Sequence, residues 1–510
     1  MNHPREVVQA PVISRLIMDG RVAPFIIVLT MAQQMLGHQN CDNSWLLMAA
    51  ERLLDGGRPY VDFIETNPPA SFLIYLPGVA LARLLGLSSE FVVCAGVFAF
   101  AVGVILFCGA ILRRADLLKP AQAGLLLNLA CVALIFTAGL SFAEREHLAA
   151  LGVLPLLAIY AARMHGGPYR LTDAIVAGVI AGPVVALKPH FVLAVLCPLL
   201  ALVAYRRSLR LMFHAENWVI LGLCLAYVAL VAWRYPTFFT ILPLLLDAYV
   251  WIMRPLNEIF LEPWFLLNLA IMGGVLAVGR RACLQALVAL PLCASVGFMG
   301  AYLIQMKGFV NHGLPGVAMA LLAAGVLASP ALADLRWSGG EGSLWRSLRR
   351  SILFGLFPLM VGAPILFGAM LQFTDWEEHK GLLPAVQRLA PAQPRMISIS
   401  GQLDVGFPVV RRAGGVWVGR SHSLWLAIAS ITLIDAGVGD AVYRGRLASY
   451  VDRDARHFRE DVMAGRPDVI LVDADPRTIK AMAHPDIAGA LVDYAPRETV
   501  GEIVLWMRKP

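Results

Sequence analysis

Apolar residues in this chain come in long unbroken runs, not at the spacing of an amphipathic helix or a half-buried strand. Runs lie near 22–38, 71–86, 91–112, 121–140, 147–162, 172–187, 190–205, 217–233, 261–279, 283–304, 313–330 and 351–372. Each approaches the ~20 residues that a helix needs to cross about 30 Å of hydrocarbon. A further run at 237–253 is broken by Pro243, Asp247 and Arg254. After residue 372 the pattern changes. Apolar runs shrink to strand length at 396–400, 469–473 and 502–507, with helical patterns at 452–463 and 477–491 between them. The pattern predicts a mainly α, polytopic transmembrane helix bundle over 1–372 and a small soluble α/β domain over 373–510. The loop 336–350, with Gly339 and Gly340, reads as the linker.

Composition sharpens this. The chain has 510 residues, 58% hydrophobic and only 15% charged, against roughly 25% charged in a typical soluble protein. A soluble globular protein, a disordered chain and a nucleic-acid-binding protein are excluded. The first 20 residues are too polar for a cleavable signal, and the first apolar run lacks a small-residue cleavage site. The eight cysteines, Cys41, Cys94, Cys108, Cys131, Cys197, Cys224, Cys283 and Cys293, show neither a disulfide framework nor a metal spacing. All but Cys41 fall in apolar runs.

The net charge of +7 belongs to the hydrophobic part. Residues 373–510 hold 17 basic and 17 acidic side chains, whereas 1–372 hold 25 and 18. Counting every run as a span would put Arg113, Arg114 and Lys119 outside. If 71–86, which is short and carries Pro77, lies on or dips into the outer surface, every basic cluster falls inside. These clusters are Arg5, Arg15 and Arg21; Arg113, Arg114 and Lys119; Arg163 and Arg170; Arg206, Arg207 and Arg210; Arg280 and Arg281; and Arg336, Arg346, Arg349 and Arg350. This reading gives about eleven spans in a cell membrane, the N-terminus inside and the C-terminus outside. The loop 39–70, with five acids and two arginines, is then outside.

The same arrangement gathers the remaining polar groups at the outer ends of the spans. Ionisable residues at membrane depth are costly and read as functional by default. Glu144, Arg145, Glu146 and His147 stand in a row between two apolar runs. The cations suit a phosphate and the carboxylates a hydroxyl; the plainer reading is an interfacial turn with a self-paired Glu and Arg. Lys188 and His190 flank a proline, and Gln305, Lys307 and His312 follow a later span. A lone snorkelling lysine at either place would be ordinary, but their convergence on one face favours function.

In the loop 39–70, Trp45, Leu46, Ala49 and Leu53 recur at helical spacing, so 43–54 is expected as an amphipathic helix lying on the membrane. Asp42 precedes it. Two readings stand: a general base toward a hydroxyl, or a cap on the helix. Tyr60, Asp62, Glu65 and Asn67 are candidate substrate-facing loop residues, although for Asp55, Asp62 and Glu65 a solvated loop is the simpler account. Asn67, Pro68 and Pro69 force an extended entry and a fresh helix start.

A basic N-terminus, one span, an acid directly after it, and a stretch holding Tyr60, Asp62, Phe63, Asn67, Pro68 and Pro69 before an apolar helix together resemble the GT-C glycosyltransferase superfamily. The nearest patterns are the dolichyl-phosphate-mannose–protein mannosyltransferase-like and aminoarabinose-transferase-like bacterial membrane enzymes. The likeness covers about residues 1–200, and the rest by architecture alone. It implies a polyprenyl-phosphate-sugar donor, a glycan, lipid or protein acceptor, inverting displacement with Asp42 as base, and a periplasmic C-terminal extension on a bacterial inner-membrane protein. Glu144 and Glu146 are the next candidates for the base. Arg145, His147, Lys188, His190, Lys307 and His312 are the candidates for holding the donor phosphate. Relatives often carry an Asp-Glu pair where this chain has Asp42 and Asn43. That leaves one acid, and a divalent metal is not indicated. No other cofactor is called for. The competing readings are a transporter or flippase of a lipid-linked saccharide and a non-catalytic scaffold.

Overall fold

The computed structural model describes residues 20–37, 40–278, 284–333 and 381–509, and singly 362 and 366. The expected span at 351–372, the linker 336–350 and the cationic residues Arg5, Arg15, Arg280, Arg281, Arg336, Arg346, Arg349 and Arg350 lie outside these. The chain is mainly helical, with a small C-terminal sheet. Seven helices among the described residues are long and apolar enough to cross a membrane: Ser89–Arg114, Gln122–Ser141, Arg145–His165, Pro189–Arg206, Ala215–Arg234, Ala286–Gln305 and Val310–Leu327. Shorter apolar helices include Ala23–Leu36, Leu171–Leu187, Thr237–Ile252 and Pro263–Ala277. The segment expected to stop short of crossing is a short apolar helix, Ala70–Leu85, about 24 Å long at 1.5 Å per residue. Its hydrogen bonding is interrupted at Ile74 and Tyr75, between Ala70–Leu73 and Leu76–Leu85.

Contacts divide the chain into two compact units, and the division differs from a single boundary at 372. One unit takes residues 1–37, 96–225 and 255–372; the other takes 38–95, 226–254 and 373–510.

In the first unit the helix Arg145–His165 is buried on all sides, as expected of a helix surrounded by neighbours. Small residues let those neighbours approach. A Cβ added at Gly152 would stand 2.6 Å from Val184 Cγ2, and one at Gly297 2.3 Å from the carbonyl oxygen of Leu193. Both ends of the helix carry buried charge of the sign its dipole favours: Glu146 in the first turn and Arg163 in the last. Arg163, expected on the inner side of the membrane, forms a two-pronged pair with Glu216, at 2.8 Å on each prong. Its guanidinium also lies 4.3 Å from the Tyr169 ring.

The second unit contains the sheet. Its strands are β1 Arg395–Ile399, β2 Val416–Trp417, β3 Val469–Asp473, β4 Tyr494–Val500 and β5 Ile503–Arg508. The spatial order is β2-β1-β3-β5-β4. β1 pairs parallel with both β2 and β3; β3–β5 and β5–β4 are antiparallel. All five residues of β3 are buried, which is why it reads as a continuous apolar run. The helix expected over 452–463 extends over Ala441–Gly465, where Asp440 caps its start by accepting from Tyr443 N–H at 2.7 Å. The pattern at 477–491 divides into Pro476–Met482 and Pro485–Ala490. Pro485 holds His484 in an extended conformation and starts a new helix at its own position.

The helix expected on the membrane surface forms as Cys41–Leu54, but it is built into this unit. Residues Ser44 to Ala50 are all buried. The Trp45 ring meets Phe407 and His422 edge-on at 5.6 Å. The polar face is engaged as well. Arg52 donates to the carbonyls of Trp417 and Gly419, and Arg411 grips Glu51. Periodicity alone does not distinguish a helix lying on lipid from one packed on protein.

Candidate functional site

In the first unit the helix ends bring four predicted polar residues together. Glu146 comes from the start of Arg145–His165. Lys188 follows Leu171–Leu187, Gln305 ends Ala286–Gln305, and His312 lies in the first turn of the helix that begins at Val310. All four are buried. Lys188 Nζ donates to Glu146 Oε1, to Gln305 Oε1 at 2.9 Å, and to His312 Nε2 at 3.3 Å. With Nε2 accepting, the histidine proton sits on Nδ1. Glu146 Oε2 and His312 Nδ1 have no hydrogen-bond partner among the described residues. The cluster therefore offers one buried acceptor and one buried donor beside a paired charge.

The neighbours divide into two kinds. Arg145 is buried, and its charge acts on both Glu146 and His312. His190 is half-buried, packed edge-on against Phe191 at 5.2 Å, and it feels the charges of Lys188, Glu146 and Lys307. Lys307 is half-buried on a tight turn whose flanking residues, Met306 and Gly308, both have positive φ. Glu144 occupies the cap position of Arg145–His165 but gives no side-chain cap. His147 stands apart. Its Nδ1 accepts from Ala143 N–H at 3.1 Å, and Nε2 lies 2.6 Å from the Leu134 carbonyl, to which it donates. Both nitrogens are committed to backbone, so His147 braces the turn before the helix and is removed from the phosphate-holding set.

In the second unit Asp42 lies half-buried in the first turn of Cys41–Leu54. It is not the cap. Asn40 fills that role, its side chain accepting from Asn43 N–H at 3.1 Å. The other loop residues are mainly structural. Glu65, expected in solvent, is 2% exposed; its carboxylate accepts from Trp45 Nε1, from Asn67 N–H at 2.8 Å and from the Asn67 side chain. It fixes the turn into Pro68. Tyr60 is buried, with its hydroxyl donating to the Asn67 carbonyl at 2.9 Å. Burial raises its phenol far above the usual range. Asp62 forms an exposed pair with Arg58 and Asp55 one with Arg83, as a solvated loop requires.

Sequence reasoning missed His422. Its ring stacks near Trp425 at 6.5 Å, and Nδ1 lies 2.9 Å from Ser423 Oγ. Burial lowers its basicity, while the carboxylates of Glu65 and Asp42 act the other way. A single histidine 380 positions from Asp42 gives no spacing signal. Among the described residues, no group of three or more His, Cys, Asp or Glu side chains is placed to hold a metal ion. No family model matches the chain, and no curated protein matches it.

Proposed function

We propose that this membrane protein transfers a sugar from a polyprenyl-phosphate donor to a hydroxyl acceptor at the outer face of the membrane, with inversion and with Asp42 as general base. The observation that carries the reading is the capping of Cys41–Leu54 by Asn40. The helix-cap role was the competing account of Asp42, and another residue fills it. Arg145 and Lys307 serve the donor phosphate in this reading, and Lys188 joins them by giving up its pairing with Glu146. Charge-assisted hydrogen bonds to a phosphate are worth about 1.5–3 kcal/mol each. The GT-C resemblance and the bacterial inner-membrane setting belong to the same proposal.

One observation favours the runner-up, a transporter or flippase of a lipid-linked saccharide. The Glu146–Lys188–His312 cluster is closed to water and internally paired, and buried ionisable chains of this kind also serve as proton relays. The full chain in nanodiscs, supplied with a polyprenyl-phosphate sugar and an alcohol acceptor, separates the two. Transfer releases polyprenyl phosphate, whereas transport in proteoliposomes moves the intact donor. Asp42→Asn should fold and bind donor while slowing release by about 10² to 10⁴. Release at the wild-type rate in that variant overturns Asp42 as base, and intact-donor movement without release overturns the transferase.

A further inference from the structure

The first unit contains a cavity of about 350 Å³ between the helices Ser89–Arg114, Gln122–Ser141, Arg145–His165, Ala286–Gln305 and the one starting at Val310. It is more than twice the size of the ~150 Å³ apolar cavities that stay dry and take up hydrocarbon. Small residues make the room: Gly109, Gly124, Ala158 and Ala161 all line it. The rest of the lining is apolar except for one charged side chain, Arg113.

The cavity lies away from the polar cluster described above. Its lining on Arg145–His165 runs from Leu154 to Ala161. At 1.5 Å per residue, that places it about 12–22 Å along the helix from Glu146. Two of its lining residues, Leu106 and Arg113, are also exposed, and at a spacing of seven they share a helix face. The cavity therefore opens at that face, with a cation beside its mouth. The adjacent Arg114 is held by Asp173, whereas Arg113 makes no ion pair among the described residues. An occupant that satisfies both parts has a long apolar chain and one anionic head.

We infer that the cavity holds one hydrocarbon chain of an anionic phospholipid, with the lipid phosphate paired to Arg113. Water does not fill an apolar space with a single polar partner, because it needs two to four. A hydrocarbon chain restores the dispersion contacts that an empty cavity forfeits. Arg forms a two-pronged contact with phosphate that an ammonium cannot. This site is independent of the sugar-transfer reading, and its test reads lipid retention, not turnover.

The full-length protein, purified in mild detergent, is exchanged into mixed micelles of phosphatidylglycerol and phosphatidylcholine. Retained lipid is counted by native mass spectrometry. The wild type should keep about one phosphatidylglycerol in preference to phosphatidylcholine. Arg113→Gln, a change on an exposed face, should reduce that preference about fivefold, the worth of one basic side chain near an anionic headgroup. Ala158→Phe fills the space and should remove retention of both lipids. Should it fail to fold, Ala161→Leu makes the same test with less bulk. Equal retention of the two lipids by the wild type, an unchanged preference in Arg113→Gln, or full retention in a folded cavity-filling variant overturns the site.

Discussion

The carboxylate of Glu146 accepts a charge-assisted hydrogen bond from Lys188, and both side chains are buried. A buried pair of this kind adds little net stability over apolar residues, but breaking it is severe because a charge is left uncompensated. Glu146→Gln should therefore lower stability by about 3–5 kcal/mol, read as loss of folded protein on thermal challenge in detergent. The double variant Glu146→Gln with Lys188→Met should recover much of that loss. If Glu146→Gln melts like the wild type, the pair contributes nothing to the stability of the fold.

The proposed orientation rests on the arginine distribution and yields a labelling result. Arg58 and Val442 are exposed in the second unit, and Leu209 is exposed between two helices of the first. With partly exposed native cysteines replaced by serine, cysteines at 58 and 442 should react with an impermeant thiol reagent added outside, and one at 209 only after the membrane is opened. Reaction of the 58 and 442 positions from inside alone would reverse the topology and remove the outer-face assignment of Asp42.

What the sequence made legible follows from the range of the forces involved. Hydropathy is a local property, so the long helices, the buried strand β3 and the change of character near 372 were readable from composition in windows. Glu146, Lys188, Gln305 and His312 were legible as a group because each ends or begins an apolar run, and the ends of such runs lie at few depths. Partnership was not legible. That Arg52 serves the carbonyls of Trp417 and Gly419, that Asn40 caps in place of Asp42, and that both nitrogens of His147 are taken by backbone are facts of tertiary geometry. Glu65 shows the limit most clearly. A loop acid among polar neighbours reads as solvated, yet Trp45 supplies a donor from 20 positions away and draws it inside.

Arg411 ties Glu51 and Glu90 together in the second unit, and this gives a pH dependence. Burial alone would raise the Glu51 carboxyl; hydrogen bonds and charge from Arg411 outweigh it, and the folded value falls below the ordinary 4.5. A depressed carboxylate contributes stability that is present above its unfolded value and lost as pH falls through its folded value. The wild type should therefore lose thermal stability below about pH 4.5, and Glu51→Gln should show a shallower acid limb. An identical limb in both proteins would mean that the Glu51–Arg411 contact contributes nothing in the folded state.

Asp454 should show the opposite sign. It projects from Ala441–Gly465, is 5% exposed, and accepts from Ala427 N–H at 2.9 Å. Burial pushes its carboxyl up to about 7, helped by the nearby Asp461 and opposed by the Ala427 hydrogen bond and by Arg453 and Arg420. A carboxyl whose folded value lies above its unfolded 3.8 costs stability once the solution is basic enough to ionise it. The penalty grows from about pH 4 and is complete above about pH 7. Asp454→Asn keeps an oxygen for Ala427 N–H and removes the charge. The variant should therefore match the wild type near pH 4 and melt higher at pH 8, by no more than about 4 kcal/mol for a shift of some three units. Melting curves of the full chain from pH 4 to 8 decide the matter. If Asp454→Asn is the less stable protein at pH 8, Arg420 or Arg453 depends on the ionised carboxylate, and the buried position holds a required negative charge instead of a penalised one.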